Sequence, residues 1–488
     1  MQTHEEPSER KKRPGCLGFW LKRLGMMLLV LLIVAACTQT WRHYQVSKRL
    51  DETLAEIDRA EPGWRLADIE AAREQIPEEE NSARVVVAAA KLLPKDWPPK
   101  DFDDLFAHLA PEEQLAAEDF GRLERELDNV RPALKEARKL ASRPRGRHHI
   151  EYQRNVFGTL LPGLDATRRV AGLLAYDAMR RDQEGDALDA MIHCLAAFNA
   201  GRSVGDEPFA VSQLVRIRST TLACRGVERA LAQGQPPPEE MAAFQRLLAD
   251  EDAFQELLVS ARGERAADHA TMDALESGDI SFSSLSDDRK DWNERLFGFV
   301  YRDNLRDEHP MMLALMSRWV ALAQLPSPEQ SAAEQQLDQE GRNLPKNAIL
   351  TRFFLPAVTI MGNASRRNHG YLRCLNAALA AERYRRDHKR WPESLDQLCP
   401  KYLAAVPLDP FDGQPLRYRQ LEDGLIVYAV GNDGVDDDGN LDREHPDLPG
   451  VDIGFRLWDV AERRQPPRPK QPKQPAPPIM PLPPFNPR

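Results

Sequence analysis

The longest uninterrupted apolar stretch of the chain runs from Leu24 to Cys37 (LGMMLLVLLIVAAC) and contains no charge. Carried on through Trp41 it reaches 18 residues. As an α-helix that length covers about 27 Å, close to the thickness of a bilayer's hydrocarbon core. Trp20 and Trp41 bracket it where interfacial aromatics are expected, and Arg10, Lys11, Lys12, Arg13, Lys22 and Arg23 precede it. A basic N-terminal flank places that end in the cytoplasm and sends the rest across. The pattern therefore predicts a cytoplasmic leader (1–23), an anchor contacting the lipid bilayer (24–41) and an extracytoplasmic body. A second reading competes with the first. Val34-Ala35-Ala36-Cys37 also fits a bacterial lipobox, which would make Cys37 a lipidation site after cleavage. The 23-residue leader is long for a signal peptide, which favours the uncleaved anchor in the inner membrane.

From Val46 to about Leu325 the apolar positions recur at helical spacing. Leu50, Leu54, Ile57 and Ala60 form one stripe, closed by Pro62-Gly63. Ala83 to Leu93 reads as a buried helix stopped by Pro94, and Leu123, Leu127 and Val130 mark another that Pro132 restarts. Leu173 to Asn199 reads as two amphipathic helices joined at Gly185-Asp186, the glycine ending one and the aspartate capping the next. No sustained 34-residue period accompanies this hairpin, so an irregular bundle is expected over a repeat array. The polar stretch within 266–310 (SGDISFSSLSDDRKD) predicts a loop.

Past Pro326 the pattern changes. Residues 326–348 read as a linker or solvated helix, followed by a helix through Leu372, Leu375 and Leu379 to His388. WPESLDQL (391–398) predicts a short helix. Leu416, Tyr418 and Gln420 alternate with arginines, Gly424 turns, and Leu425 to Val430 returns as a second strand. The expected fold is thus mainly α, a membrane helix and an irregular helical bundle or hairpin array over 42–325, plus a small α+β unit with an antiparallel sheet at 349–460. Beyond it, prolines at 466, 469, 472, 475, 478, 481, 484 and 487 keep a period of three, matching polyproline II, so 461–488 is expected as a disordered basic tail.

Residues 371–440 carry a further pattern: Glu382-Arg383-Tyr384-Arg385-Arg386-Asp387-His388 ending the helix, Trp391-Pro392, Pro407-Leu408-Asp409-Pro410 with Gly413, and Val427-Tyr428-Ala429-Val430 before Gly431-Asn432-Asp433-Gly434. This stretch resembles the C-terminal domain of the major pseudopilins of type II secretion. The anchor, helical middle and ending together resemble membrane-anchored proteins of planctomycete-type bacteria, which implies no activity. Gly18-Phe19 is followed by Arg23 where a pseudopilin has its assembly glutamate, and nearly 300 residues separate anchor and module. Packing into a pseudopilus is therefore not expected; the domain reads as a borrowed module. In that family the acidic loop binds calcium, which the resemblance carries to Asp433, Asp436, Asp437, Asp438, Asn440 and Asp442. Physically, Asp436, Asp438, Asn440 and Asp442 alternate, with Gly434 and Gly439 to bend the backbone toward the six to eight oxygens Ca²⁺ needs. The loop is not an EF-hand, because Leu441 stands where glycine is required and no glutamate closes it.

Other chemistry is sparse. His148-His149 with Glu151 is a candidate metal cluster, and Arg262, Glu264 and Arg265 a dense charge group. Neither supplies a recognisable acid–base or nucleophile constellation, so no catalytic residue is assigned. Four cysteines lie beyond Cys37, and Cys374–Cys399 is the preferred disulfide, with free buried thiols as the alternative. The net charge of −10 argues against nucleic-acid binding. It is also segregated: +3 over 1–23, +6 over 463–488, and −19 between. These features predict a non-enzymatic scaffold of the bacterial envelope that meets an envelope protein or cell-wall partner. The alternatives are an accessory of a type II secretion or pilus-like system, and an envelope hydrolase without a recognisable motif.

Overall fold

A computed structural model describes residues 16–281, apart from 104, 105, 107, 108 and 154, and residues 291–468; for 16–19, 157 and 291–304 the backbone alone is described. The basic leader before residue 16 and most of the proline tail lie outside the described residues.

Helix α1 (Cys16–Ala60) is a single element of 45 residues. Its apolar N-terminal window is long and apolar enough to cross a membrane, and none of it is buried against the body. No break occurs at the junction, where Thr38 and Thr40 donate their hydroxyls to the carbonyls of Ala35 and Ala36 at 2.9 and 2.8 Å. The second half carries the predicted stripe: Leu50, Leu54 and Ile57 pack into the body, and Arg42 pairs with Asp307. Gly63 ends the helix region at φ +77°, and the buried Trp64 donates its indole N–H to Asp58 at 2.8 Å.

Thirteen further α-helices follow among the described residues: α2 (Leu66–Ala72), α3 (Ser82–Lys91), α4 (Ala117–Asn129), α5 (Arg131–Ala137), α6 (Pro162–Glu184), α7 (Ala187–Arg202), α8 (Ala210–Gln233), α9 (Pro238–Asp252), α10 (Glu256–Ser277), α11 (Asp291–Leu322), α12 (Ser327–Arg342), α13 (Ile349–Phe354) and α14 (Pro356–His388). The predicted hairpin is α6–α7. Gly185 adopts the left-handed conformation at φ +85°, and the Asp186 carboxylate accepts the Asp189 N–H at 3.0 Å. These two helices and α8 pack mutually, and their Ala-rich inner faces let the backbones approach closely.

Three antiparallel strands follow: β1 (Arg417–Leu421), β2 (Gly424–Ala429) and β3 (Ile453–Trp458), in that spatial order. Leu421 pairs with Gly424 at the hairpin turn, and Gly424 also faces Trp458. A methyl group on Gly424 would lie 1.9 Å from the Leu457 carbonyl oxygen, so glycine is obligatory there. The sheet lies on α14, and β3 also meets α8. One hydrophobic core contains Leu123, Leu174, Phe198 and Val227 of the helical middle together with Leu375, Val427 and Phe455 of the sheet unit. The two stretches drawn apart in the sequence share that core.

Residues 326–348 are not a free linker. Most of the stretch is α12, with Gln330, Glu334 and Leu337 buried against the body. The Cys374–Cys399 disulfide is not formed either: both thiols are free. Cys374 faces the sheet, its thiol donating to the Ile453 carbonyl at 3.5 Å. Helix α14 then carries the chain on to His388, and the segment holding Cys399 returns beside Tyr384, whose hydroxyl donates to Gln397. Ten helical residues separate that level from Cys374, about 15 Å, too far for a disulfide.

Candidate functional site

The acidic loop joins β2 to β3, and most of its carboxylates cap its own turns. Asp433 accepts the N–H groups of Val435 (3.1 Å) and Gly450 (2.8 Å). Asp442 accepts those of Glu444 and His445 at 2.8 and 3.0 Å, and this hydrogen bonding holds its pKa down. Asp436 receives the Tyr428 hydroxyl at 3.0 Å and the Asp438 N–H at 3.1 Å. Asp438 sits at φ +58° with its carbonyl accepting from Arg419, and the Asn440 amide donates to the Gly450 carbonyl at 2.6 Å. Among the described residues, no three His, Cys, Asp or Glu side chains are grouped to hold a metal ion.

The loop does contain one carboxylate that the sequence pattern left out. Asp452 is 2% exposed; its Oδ2 accepts the N–H groups of Asp437 (3.1 Å) and Gly439 (2.8 Å). Its Oδ1 is buried without a partner, as is Oδ2 of Asp437. Burial first, then the charges of Asp436 and Asp437, push the Asp452 pKa up to about 6.

The two other charged groups flagged in the sequence are structural. His148 is buried, with its pKa pushed down to about 4 by burial and by Arg73. His149 and Glu151 are exposed, 3.9 Å apart, so the two histidines do not converge. Arg262 and Arg265 both grip Glu61, just past the end of α1, while Glu264 turns aside to accept the Ala210 N–H at 2.7 Å. They fasten α1 to α10. Cys37 is exposed within the unbroken α1.

A cavity of about 450 Å³ lies where α9, α10, α12 and α14 meet the loop Leu408–Gly413. Asp252 at the end of α9 and Glu256 at the start of α10 face His369 and Arg373, an i,i+4 pair on α14. His369 Nδ1 is 2.7 Å from Asp252 and its Nε2 3.5 Å from Glu256. Glu256 also accepts Ser365 at 3.1 Å and Asn368 at 3.2 Å. Burial would lower the imidazole's pKa, but the flanking Glu256 and Asp252 outweigh it and hold it up at about 10. The ring is therefore an imidazolium at neutral pH and has no lone pair with which to act as a base. Ser365 donates its hydroxyl to the Glu256 carboxylate, whose charge the His369 imidazolium already balances. The cavity's chemistry is that of a charge-balanced polar recess suited to holding a ligand or a neighbouring segment.

Nothing in the sequence periodicity pairs 252 and 256 with 369 and 373, because the α9–α10 junction and α14 are more than a hundred residues apart. No family model matches the chain, and no curated protein or solved structure matches it either.

Proposed function

We propose that the protein is a single-pass, membrane-tethered scaffold or interaction protein of the bacterial cell envelope, non-enzymatic, with its N-terminus cytoplasmic and its body extracytoplasmic. The observation that carries this reading is the form of α1. One continuous helix has an exposed apolar half and a second half locked to the body through Leu50, Leu54, Ile57 and Arg42. A helix that crosses the bilayer and continues into the fold holds the body at a fixed height over the lipid, which suits a docking platform. Resistance of the full chain to alkaline-carbonate extraction from membranes tests it. Release into the soluble fraction would end the reading.

Calcium belongs to the same proposal. The oxygens of Asp437 and Asp452 that lack partners, crowded by the charge of Asp436, are hard anionic donors whose unmet demand a hard cation would satisfy. The bound ion would neutralise that crowded charge and stiffen the β2–β3 loop. A second reading, docking to a secretion or pilus-like apparatus, is favoured by the long α14 lying on a three-stranded sheet with an acidic β2–β3 loop. Recovery of secretion components on affinity purification from membranes would favour it; their absence would favour the scaffold.

A further inference from the structure

We infer that α13 and the first turns of α14 form a second membrane contact, a monotopic face that rests in the lipid headgroup region beside the anchor. The inference rests on the reading of α1 as membrane-spanning. Three large apolar side chains cluster within twelve residues: Ile349 (49% exposed), Phe353 (71%) and Ile360 (57%). Burying such side chains in an apolar phase is favourable, so exposing them together to water is unfavourable.

Their position says what covers them. If residues 24–41 span the hydrocarbon, Arg42 marks the water-facing edge of the bilayer. Arg42 pairs with Asp307 of α11, and the next residue, Glu308, accepts the Thr351 N–H of α13 at 2.5 Å. Two adjacent residues of α11 thus join the membrane edge of α1 to the middle of α13. The packing of α12 on α14 makes this segment a turn at one end of the helix pair. Leu355 lies against Gly341 and Glu334 over Gly362, so the helices run antiparallel and 343–356 is their turning end.

The chemistry fits an anionic lipid surface. Lys346 and Arg352 are exposed beside the apolar cluster, an arrangement typical of interfacial segments. Trp41 and Tyr44, with ring centroids 6.0 Å apart, are exposed at the same level of α1, as an aromatic belt requires. A soluble partner would not require the cluster to lie at the height of Arg42; a bilayer does.

The test uses the full chain with Cys16, Cys37 and Cys399 replaced by serine, reconstituted in vesicles of phosphatidylethanolamine and phosphatidylglycerol. A bimane label is placed singly at Val34→Cys, Ile349→Cys, Phe353→Cys or Val435→Cys, and lipids carrying nitroxides both near the headgroup and along the acyl chain are added. Positions 349 and 353 are expected to lose at least half the fraction of fluorescence lost at 34, while 435 keeps its intensity. If 349 and 353 behave like 435 while 34 is quenched, the lipid-facing surface is refuted and the anchor stands. If 34 is itself unquenched, the anchor reading fails and the inference with it. All four labelled positions are exposed, so folding is retained.

Discussion

Replacing Arg366 by methionine tests the packing that turns 326–348 into part of the body. Arg366 of α14 donates two parallel hydrogen bonds to Glu334 of α12, at 2.9 and 2.8 Å, and a third at 2.7 Å to Asn363. The paired side chains are 4% and 3% exposed. Methionine fills much of the same volume but leaves the Glu334 carboxylate buried without a counter-charge. Removing one partner of a buried pair costs about 3–5 kcal/mol, whereas replacing both by apolar groups is near neutral. Arg366→Met is therefore expected to lose several kcal/mol at pH 7, and Glu334→Leu/Arg366→Met to stay within about 1 kcal/mol of the parent. The pH dependence has a definite sign. Burial already raises the Glu334 pKa against the pull of Arg366; without the arginine it rises further above its unfolded value. The folded variant then holds a proton that the unfolded chain has released, so its deficit narrows as pH falls from 7 toward 4. Urea unfolding of the detergent-solubilised full chain, followed by circular dichroism at both pH values, reads this directly. A double variant as unstable as the single one, or a deficit equal at both pH values, would refute the reasoning.

Three other outcomes follow from the packing and charges. Gly263→Ala, normally helix-stabilising by about 1 kcal/mol, should instead destabilise the fold measurably in thermal melts, because the added methyl meets the Pro208 carbonyl at 1.6 Å; an unchanged melting temperature would contradict that contact. His369, with its pKa near 10, should show imidazolium ¹⁵N shifts throughout pH 5–8. Its stabilisation, full below about 6.5, should fade as pH rises through 10, and His369→Gln should flatten that decline; titration near 6.5 would contradict the paired geometry. In EGTA the Asp452 carboxyl makes folding less favourable as pH rises through about 6, so calcium should raise the melting temperature most above that pH. Asp437→Asn/Asp452→Asn should abolish the calcium response, and identical melts with and without EGTA would end the calcium proposal.

Much of the architecture could be read from local signals. Gly185-Asp186 gave away the α6–α7 hairpin because a left-handed glycine and a capping aspartate act within a few residues. The β1–β2 hairpin was legible from its alternation and Gly424. β3 is harder to read: Ile453, Phe455 and Leu457 alternate inward, but Gly454 and Arg456 dilute its apolar character. The packed α12 was hidden for another reason: what it buries is largely Gln330 and Glu334, and hydrophobic periodicity cannot register a buried carboxylate whose partner lies 32 residues ahead. The same limit applies to the candidate sites. The acidic loop drew attention through its aspartates, yet Asp433 and Asp442 cap turns, while the orphaned oxygens belong to Asp437 and to Asp452 at the start of the next strand. The His369 recess needed the fold itself to bring α9, α10 and α14 together.

Whether one helix crosses the membrane uncleaved and holds the body on the far side is tested by labelling intact spheroplasts with a membrane-impermeant maleimide. The chain used is Val435→Cys with every native cysteine retained, and labelled peptides are identified by mass spectrometry. The peptide containing position 435 should be labelled from outside, while the peptide containing Cys16 should be present in the mature chain and labelled only after permeabilisation. Protection of both until permeabilisation, or loss of the Cys16 peptide from the mature protein, would contradict it.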